Sequence, residues 1–335
     1  MFNKILVPLD GSVLSEKVLP YAVRLANRLN GQILLMRAVE VPSLMVDSTN
    51  REMEIIKQAE EYLEQVVSTI TNESNSPHME AARVTHMVVY GDAVKEISEL
   101  APFEKVDLII MTTHGRSGFS RLVLGSVAGQ ILRRSSVPVM LVRPQEQKHE
   151  HTLVETLSGA EEPYSDCFDG IDGSIVLPLE GTEIGAAAIE PAAQLALGFG
   201  ATLHLLSIVY PASSAVYTDM VELDYSDAEI KANNEQRVAG AEGYLAKVAE
   251  ELAYKEVKTV KTVKLGATEN EIAEYALEVG ASAIVMATHA RGEMGHLFLG
   301  SIAEDVMRKS HLPVLMIPTH AHLKETQQKS HAAAR

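Results

Sequence analysis

The sequence predicts two tandem α/β domains, each with a five-stranded parallel sheet and helices on both faces. The chain has 335 residues, which suits two domains of ordinary size. It also repeats itself: KILVPLDGS at 4–12 returns as SIVLPLEGT at 174–182, and GSVAGQILRRSSVPVMLV at 125–142 returns as GSIAEDVMRKSHLPVLMI at 300–317. Within each repeat, short apolar runs alternate with segments of helical period, as in a parallel sheet joined by helices.

The elements of the first repeat follow from these runs. Strands are expected at ILVPL, QILLMRAV, RVTHMVVY, VDLIIM and VPVMLV. The last two are apolar apart from Asp107, as in strands buried on both faces. Helices are expected over VLSEKVLPYAVRLANRLN, REMEIIKQAEEYLEQVVSTIT, the segment after Asp92, and VAGQILRRS. Asp92 is placed to cap its helix, and Thr268 with Glu271 is expected to form a capping box in the second repeat.

The domain boundaries are expected where the similarity between the repeats stops. We expect domains at 1–145 and 171–319, a polar and acidic linker at 146–170, and a polar tail at 320–335. The second repeat has about five extra residues in its middle.

Composition excludes several classes of protein. The net charge of −16 argues against a nucleic-acid-binding surface. No apolar run reaches the roughly 18 residues of a membrane helix, so no membrane insertion is expected. A strand begins almost at residue 1, which argues against a signal peptide. The single cysteine, Cys167, excludes an internal disulfide framework and favours the cytoplasm.

The stretch MTTHGRSGFSRLVLGS at 111–126 lies where ligands bind in open α/β sheets, at the carboxyl end of a strand. Gly115 allows close approach of the backbone, and Gly125-Ser126 opens a helix whose first amides attract an anion. Arg116 could add positive charge. A phosphate site is one interpretation. The alternative is a tight turn in which Ser126 only caps the helix.

Asp10 directly follows the first strand and is expected at the same edge of the sheet. A carboxylate there commonly accepts hydrogen bonds from ribose hydroxyls. The alternative is an N-cap of the next helix, a role that Ser12 or Ser15 could also serve.

Together these motifs resemble the universal stress protein family in its tandem form. ATP-binding members of that family have G-x2-G-x9-G-[ST] after the fourth strand and an aspartate after the first. Here Thr112-x2-Gly115-x9-Gly125-Ser126 matches three of the four motif positions, and Asp10 is the aspartate. The resemblance implies a Rossmann-like fold of the adenine nucleotide alpha hydrolase type, with strand order 3-2-1-4-5 in each domain.

The resemblance also implies that the first domain binds ATP, or ADP or AMP, with Mg²⁺ bridging the phosphates. Asp10 would contact ribose, the backbone at the end of the second strand would meet adenine, and the glycine turn would hold the phosphates. The implied nucleotide-binding residues are Pro8, Leu9, Asp10, Ser12, Ala38, Val39, Thr112, Gly115, Arg116, Gly125, Ser126 and Val127.

The second repeat departs from this motif. Glu180 replaces Asp10, Ala287 and Ala290 occupy the two leading positions of the glycine motif, and Glu293 adds negative charge. An alanine at positive φ costs on the order of 1 kcal/mol, and its methyl group obstructs a phosphate. We therefore expect nucleotide binding in the first domain and weak or no binding in the second.

The resulting functional hypothesis is a nucleotide-dependent regulator or sensor of the stress response that acts on a protein partner of unknown identity. The alternative is an interaction scaffold or chaperone-like stress protein with structural nucleotide or none. No catalytic residue or metal ligand is assigned. His114 and His289 lack a carboxylate partner in the sequence, so at most slow ATP hydrolysis is expected. The fifth strands are expected to be adjacent edges, as in an internal pseudo-dimer, and a homodimer of whole chains remains open.

Overall fold

The computed structural model describes residues 2–40, 48–71, 83–113, 124–143, 173–212, 215–218, 221–224, 226–288 and 301–319. The chain divides into two compact units. The first contains the described residues up to 143 together with Thr288 and residues 311–319, and the second contains residues 173–287 and 301–310 where they are described. The linker predicted at 146–170 and the tail predicted at 320–335 lie outside the described residues.

The first unit contains a sheet whose first five strands are parallel. These strands are β1 (Lys4–Pro8), β2 (Gln32–Val39), β3 (Val84–Tyr90), β4 (Leu108–Thr112) and β5 (Val139–Val142). Their order is β3-β2-β1-β4-β5, which confirms the predicted 3-2-1-4-5 arrangement. All five residues of β4 and the three central residues of β1 are buried, as their apolar sequences predict. The strand order reverses between β1 and β4.

The helices of the first unit are α1 (Val13–Glu16), α2 (Leu19–Arg28), α3 (Ser48–Thr71), α4 (Ala93–Phe103) and α5 (Ser126–Arg134). The single helix predicted after β1 is therefore two helices. Pro20 lies in the first turn of α2, where its fixed φ fits, but it has no N–H to continue a helix from α1. The predicted cap of α4 is confirmed, because the Asp92 carboxylate accepts a hydrogen bond of 2.9 Å from the amide of Lys95.

The second unit repeats this plan with one addition. Its strands are β6 (Ser174–Pro178), β7 (Thr202–Val209), the pair β8 (Ala215–Thr218) and β9 (Val221–Asp224), β10 (Thr259–Leu265) and β11 (Ala283–Thr288). The parallel order β10-β7-β6-β11 corresponds to 3-2-1-4. Strands β8 and β9 form a separate antiparallel hairpin in the middle of the repeat, where the extra residues were predicted. The helices are α6 (Glu183–Ala186), α7 (Ile189–Phe199), α8 (Asp227–Ala253), α9 (Thr268–Glu278) and α10 (Ser301–Ser310).

The capping box predicted at the start of α9 is wrong. Ala267 is the N-cap residue and makes no side-chain hydrogen bond, so Thr268 is already the first residue of the helix. The Glu271 carboxylate instead lies 3.8 Å from Lys264 Nζ and packs against Gly266, where a Cβ would stand 2.6 Å from Glu271 Oε1. The Thr-x-x-Glu spacing is present, but the helix begins one residue too early for Thr268 to cap it.

The last strand of the second repeat, β12 (Val314–Pro318), lies in the first unit. It pairs antiparallel with β5, and Leu315 stands opposite Met140 at the centre of the pairing. Both strands are buried along their whole length. The two apolar runs that were expected to be adjacent edges therefore pair directly, and β12 covers the edge of β5.

A buried polar network distinguishes the second unit. His204 on β7 is 9% exposed; its Nδ1 lies 2.9 Å from Tyr275 Oη and its Nε2 lies 3.1 Å from Ser174 Oγ. The Tyr275 hydroxyl also lies 2.8 Å from Thr262 Oγ1. Burial lowers the pKa of His204. In the first repeat, leucine occupies the position equivalent to His204.

We expect this network to make the stability of the second unit depend on pH. Because the pKa of folded His204 lies below the ordinary value of about 6.5, the unfolded chain binds more protons as the pH falls below that value. The stabilising contribution of neutral His204 is therefore present at neutral pH and is lost as the pH falls towards the pKa of His204 in the folded state. His204→Gln should reduce the loss in free energy of unfolding between about pH 7.5 and about pH 5.5, measured by urea titration. His86→Gln, at an exposed position on β3, is the control, and equal pH slopes in wild type and His204→Gln would contradict the prediction.

No helix within the described ranges is long and apolar enough to span a bilayer.

Candidate functional site

A cavity of about 270 Å³ opens at the carboxyl ends of β1 and β4, where the strand order reverses. Pro8, Leu9 and Asp10 line it from the end of β1, and the carboxyl end of β4 with the start of α5 forms the facing wall. Such a switch point is where open α/β sheets bind ligands. The fold therefore places a concave site at the position that the sequence predicted.

The structure brings together eight of the twelve predicted site residues. Pro8, Leu9, Asp10, Ala38, Thr112, Gly125, Ser126 and Val127 all line the cavity. Ser12 lies beside the cavity as the N-cap of α1, and Val39 is buried with its carbonyl accepting a hydrogen bond of 3.0 Å from the amide of Gly91. Gly115 and Arg116 lie outside the described residues, as do His114 and His289.

Seven further residues line the cavity that sequence reasoning missed: Ser15, Met36, Ala93, Ile97, Met111, Thr113 and Ala128. The spacing of several of these residues along their strand or helix indicates that they share one face. Met36 and Ala38 are two residues apart on β2 and therefore face the same side of the sheet. Ala93 and Ile97 are four apart on α4 and lie on one face of that helix. Met36, Ile97 and Met111 are buried, so the inner wall of the cavity is largely apolar.

The turn after β1 holds Asp10 in a defined position. Asp10 Oδ1 accepts hydrogen bonds from the amide of Ser12 at 2.9 Å and from Ser12 Oγ at 2.6 Å. Ser12 itself caps α1, since its Oγ accepts a hydrogen bond of 3.2 Å from the amide of Ser15. Of the alternatives open from the sequence, the structure thus assigns the cap to Ser12, and Asp10 lines the cavity. Gly11 between them has φ of 81°, a left-handed conformation that favours glycine.

The start of α5 forms the opposite wall. Gly125 is the N-cap residue, with no side-chain cap, and its amide donates a hydrogen bond of 2.7 Å to the carbonyl of Thr113. Ser126 is the first helical residue and not the N-cap, so it does not cap the helix as the alternative interpretation required. Its side chain is exposed. The first turn contains no acidic residue. Helix geometry leaves the first amides without intrahelical acceptors, so this end of the cavity attracts negative charge.

The cavity thus combines three chemical surfaces. A carboxylate on the β1 side can accept hydrogen bonds from hydroxyl groups, a helix N-terminus on the β4 side favours an anion, and the buried side chains of Met36 and Ile97 offer an apolar wall. This arrangement suits a ligand with a flat apolar ring, hydroxyl groups and an anionic end.

The second unit reproduces this turn and its hydrogen bonds, with Glu180 in place of Asp10. Thr182 caps α6 through a hydrogen bond of 3.1 Å from the amide of Gly185, and Thr182 Oγ1 donates to Glu180 Oε1 at 2.9 Å. Gly181 has φ of 79°, close to the value at Gly11. Ala287, which stands in the place of Thr112, is the last residue but one of β11, whereas Ala290 and Glu293 lie outside the described residues.

Metal-binding side chains are not clustered in the part of the chain that the structure describes. It contains no group of three or more histidine, cysteine, aspartate or glutamate side chains that could hold an ion.

Comparison with known proteins agrees with this fold. The chain is 27% identical over 148 residues to Universal stress protein MJ0531 of Methanocaldococcus jannaschii, covering 43% of this chain and 83% of that protein. It is 23% identical over 318 residues to a universal stress protein E homolog of Haemophilus influenzae, covering 92% of this chain and 94% of that protein. A crystal structure of a universal stress protein from Archaeoglobus fulgidus covers 95% of this chain and 99% of its own, with a TM-score of 0.65 and 21% identity, which supports the fold.

The family assignment covers both repeats. The model of the universal stress protein family matches residues 1–143 and again residues 173–318. These two matches span most of the sequence and correspond to the two repeats that carry the parallel sheets. The chain therefore belongs to the universal stress protein family and contains two tandem domains of that family.

Proposed function

We propose that the first unit binds ATP, or another adenine nucleotide, and that this binding makes the protein a nucleotide-dependent regulator or sensor of the stress response. The observation that carries the proposal is the cavity between the Asp10 carboxylate and the N-terminus of α5. An adenine nucleotide has the three chemical parts that this cavity accommodates: a flat ring, a ribose and a phosphate chain.

Each part of the nucleotide has a matching surface. The adenine ring would pack on the apolar wall near Met36 and Ala38 at the end of β2. The ribose hydroxyls would donate to Asp10, whose carboxylate Ser12 already orients. The phosphates would accept hydrogen bonds from the first amides of α5, and the exposed Ser126 hydroxyl would add a donor.

Mg²⁺ fits this scheme as a bridge between phosphate oxygens. It usually binds through one or two protein groups, water and substrate phosphates, so it needs no dedicated cluster of carboxylates. We assign no catalytic residue. Asp10 is the acidic side chain among the described cavity residues, and it is already bonded to Ser12, so at most slow hydrolysis is proposed.

Regulation would follow from the geometry of the cavity. A nucleotide that contacts both Asp10 and α5 favours the conformation in which these two walls of the cavity stand at their present separation. It can shift the equilibrium between conformations only by the difference in its affinity for them. A protein partner, acting in the cytoplasm, would then distinguish the occupied from the empty state.

Isothermal titration of the purified chain, preceded by acid extraction to identify any co-purified nucleotide, tests the proposal. We expect one ATP site per chain, weakened about tenfold in Asp10→Asn because a charge-assisted hydrogen bond becomes a neutral one. Glu180→Gln, the matched change in the second repeat, should leave the affinity unchanged. Two equivalent sites would refute the asymmetry between the repeats, and no binding would leave the interaction scaffold as the function.

A further inference from the structure

We propose that Arg37 is a positioning residue of the nucleotide site. Its guanidinium lies close to Gly11 and over the ring of Tyr62, and from there it fixes the turn that carries Asp10. This inference rests on the nucleotide-binding function proposed above.

Arg37 supports the turn from the side of the sheet away from the cavity. Met36 and Ala38 line the cavity, so Arg37 between them on β2 projects from the opposite face. A Cβ built on Gly11 would lie 2.9 Å from Nη2, 3.0 Å from Cζ and 3.2 Å from Nη1 of Arg37. Three guanidinium atoms at nearly the same distance indicate that the flat face of the group occupies the space that a side chain at residue 11 would need.

Tyr62 on α3 contacts the same guanidinium. Arg37 Cζ lies 4.9 Å from the centroid of the Tyr62 ring, within the range of a cation–π interaction. The Tyr62 hydroxyl donates a hydrogen bond of 2.9 Å to Glu16 Oε1 in α1. Burial, followed by the charge of Glu16 and this hydrogen bond, raises the pKa of Tyr62, so the hydroxyl keeps its proton and remains a donor.

These contacts close a ring around the turn. Asp10 is hydrogen-bonded to Ser12, which caps α1. Glu16 at the end of α1 accepts a hydrogen bond from Tyr62. Tyr62 contacts Arg37, and Arg37 lies close to Gly11. Glycine reaches φ of 81° without strain but is equally free to leave it. A guanidinium packed against Gly11 narrows that freedom, so less conformational entropy is lost when a nucleotide engages Asp10.

The second unit shows what the same turn looks like without the arginine. Ser207 occupies the position equivalent to Arg37 in the repeat, and Ala186 that of Glu16. Among the residues that the structure describes, a Cβ on Gly181 would meet only Cδ1 of Tyr244, at 3.9 Å. The Tyr244 hydroxyl is buried and has no hydrogen-bond partner among the residues that the structure describes. The turn therefore forms without arginine, and what Arg37 adds in the first unit is restraint of the turn.

The test is a double-mutant cycle on ATP affinity, measured by isothermal titration of the full chain. Arg37→Ser, which installs the residue of the second repeat, should raise the Kd about tenfold. Tyr62→Phe, which keeps the ring and loses the bond to Glu16, should raise it less. If Arg37 acts through Asp10, Arg37→Ser should have little further effect in an Asp10→Asn background, because coupled residues are not additive.

The outcomes separate this inference from the proposed function. Wild-type affinity in both Arg37→Ser and Tyr62→Phe, or fully additive effects of Arg37→Ser and Asp10→Asn, would overturn the positioning role and leave nucleotide binding intact. If the wild-type chain binds no ATP, both proposals fall. Circular dichroism reports whether each variant is folded, and Tyr62→Phe remains informative if Arg37→Ser is not.

Discussion

Replacing Val127 with glutamate is expected to weaken ATP binding by at least about a hundredfold, since like charges about 4 Å apart repel by about 4 kcal/mol at an effective dielectric constant of about 20. Val127 is the second residue of α5 and lines the cavity where the phosphates are proposed to bind. A carboxylate there would interact with the helix N-terminus itself and would repel the phosphate chain. Isothermal titration measures the effect directly.

Two controls make this experiment specific. Val127→Gln introduces a side chain of nearly the same shape as glutamate but without its charge, so it should reduce the affinity for ATP much less than Val127→Glu does. Ile302→Glu places the same charge at the equivalent position in α10 of the second unit and should leave ATP binding unchanged. Neither glutamate should destabilise its helix, because acidic residues are favourable in a first turn. ATP binding by Val127→Glu at wild-type affinity would show that the phosphates do not lie at this helix.

Replacing Leu315 with proline is expected to lower the free energy of unfolding of the first unit by about 3 kcal/mol or more. Leu315 is buried at the centre of β12, opposite Met140 of β5. Proline removes a backbone donor and is found in sheets essentially only at edges or bulges. Loss of β12 would uncover the edge of β5, so we also expect association that increases with protein concentration.

Hydrogen–deuterium exchange assigns this effect to the first unit. Urea titration should give a lower midpoint, and the amides of Val139–Val142 should exchange faster in Leu315→Pro than in wild type. Leu315→Val, which removes one methylene and keeps an apolar side chain that suits a strand, should cost about 1.5 kcal/mol or less. Unchanged protection of β5 in the proline variant would show that β12 does not stabilise the first unit.

Much of the fold could be predicted because strands that are buried on both faces are short, almost wholly apolar runs that the sequence shows directly. VDLIIM is apolar at every position but one and became the fully buried β4. Local signals were less decisive where two of them competed. The helical period continues across Pro20, but proline has no amide N–H, and the helix is divided there. The spacing of Thr268 and Glu271 matches a capping box, but Ala267 occupies the N-cap position.

The candidate site could be predicted where it depends on strand ends. Asp10 and Gly125 were found because the carboxyl ends of neighbouring parallel strands meet at one edge. Ile97 was missed because its place in the cavity depends on how α4 packs on the sheet, which periodicity does not determine. Arg37 was missed for a similar reason, since its contacts with Gly11 and Tyr62 exist only once α3 is packed.

The most direct test of nucleotide binding by the first unit is a crystal structure of the full chain with a non-hydrolysable ATP analogue and Mg²⁺. We expect electron density for one nucleotide, with its ribose at Asp10, its ring near Ala38 and its phosphates at the first turn of α5, and none at Glu180. A cavity filled by the protein's own side chains, or a nucleotide seated in the second unit instead, would contradict the proposed function.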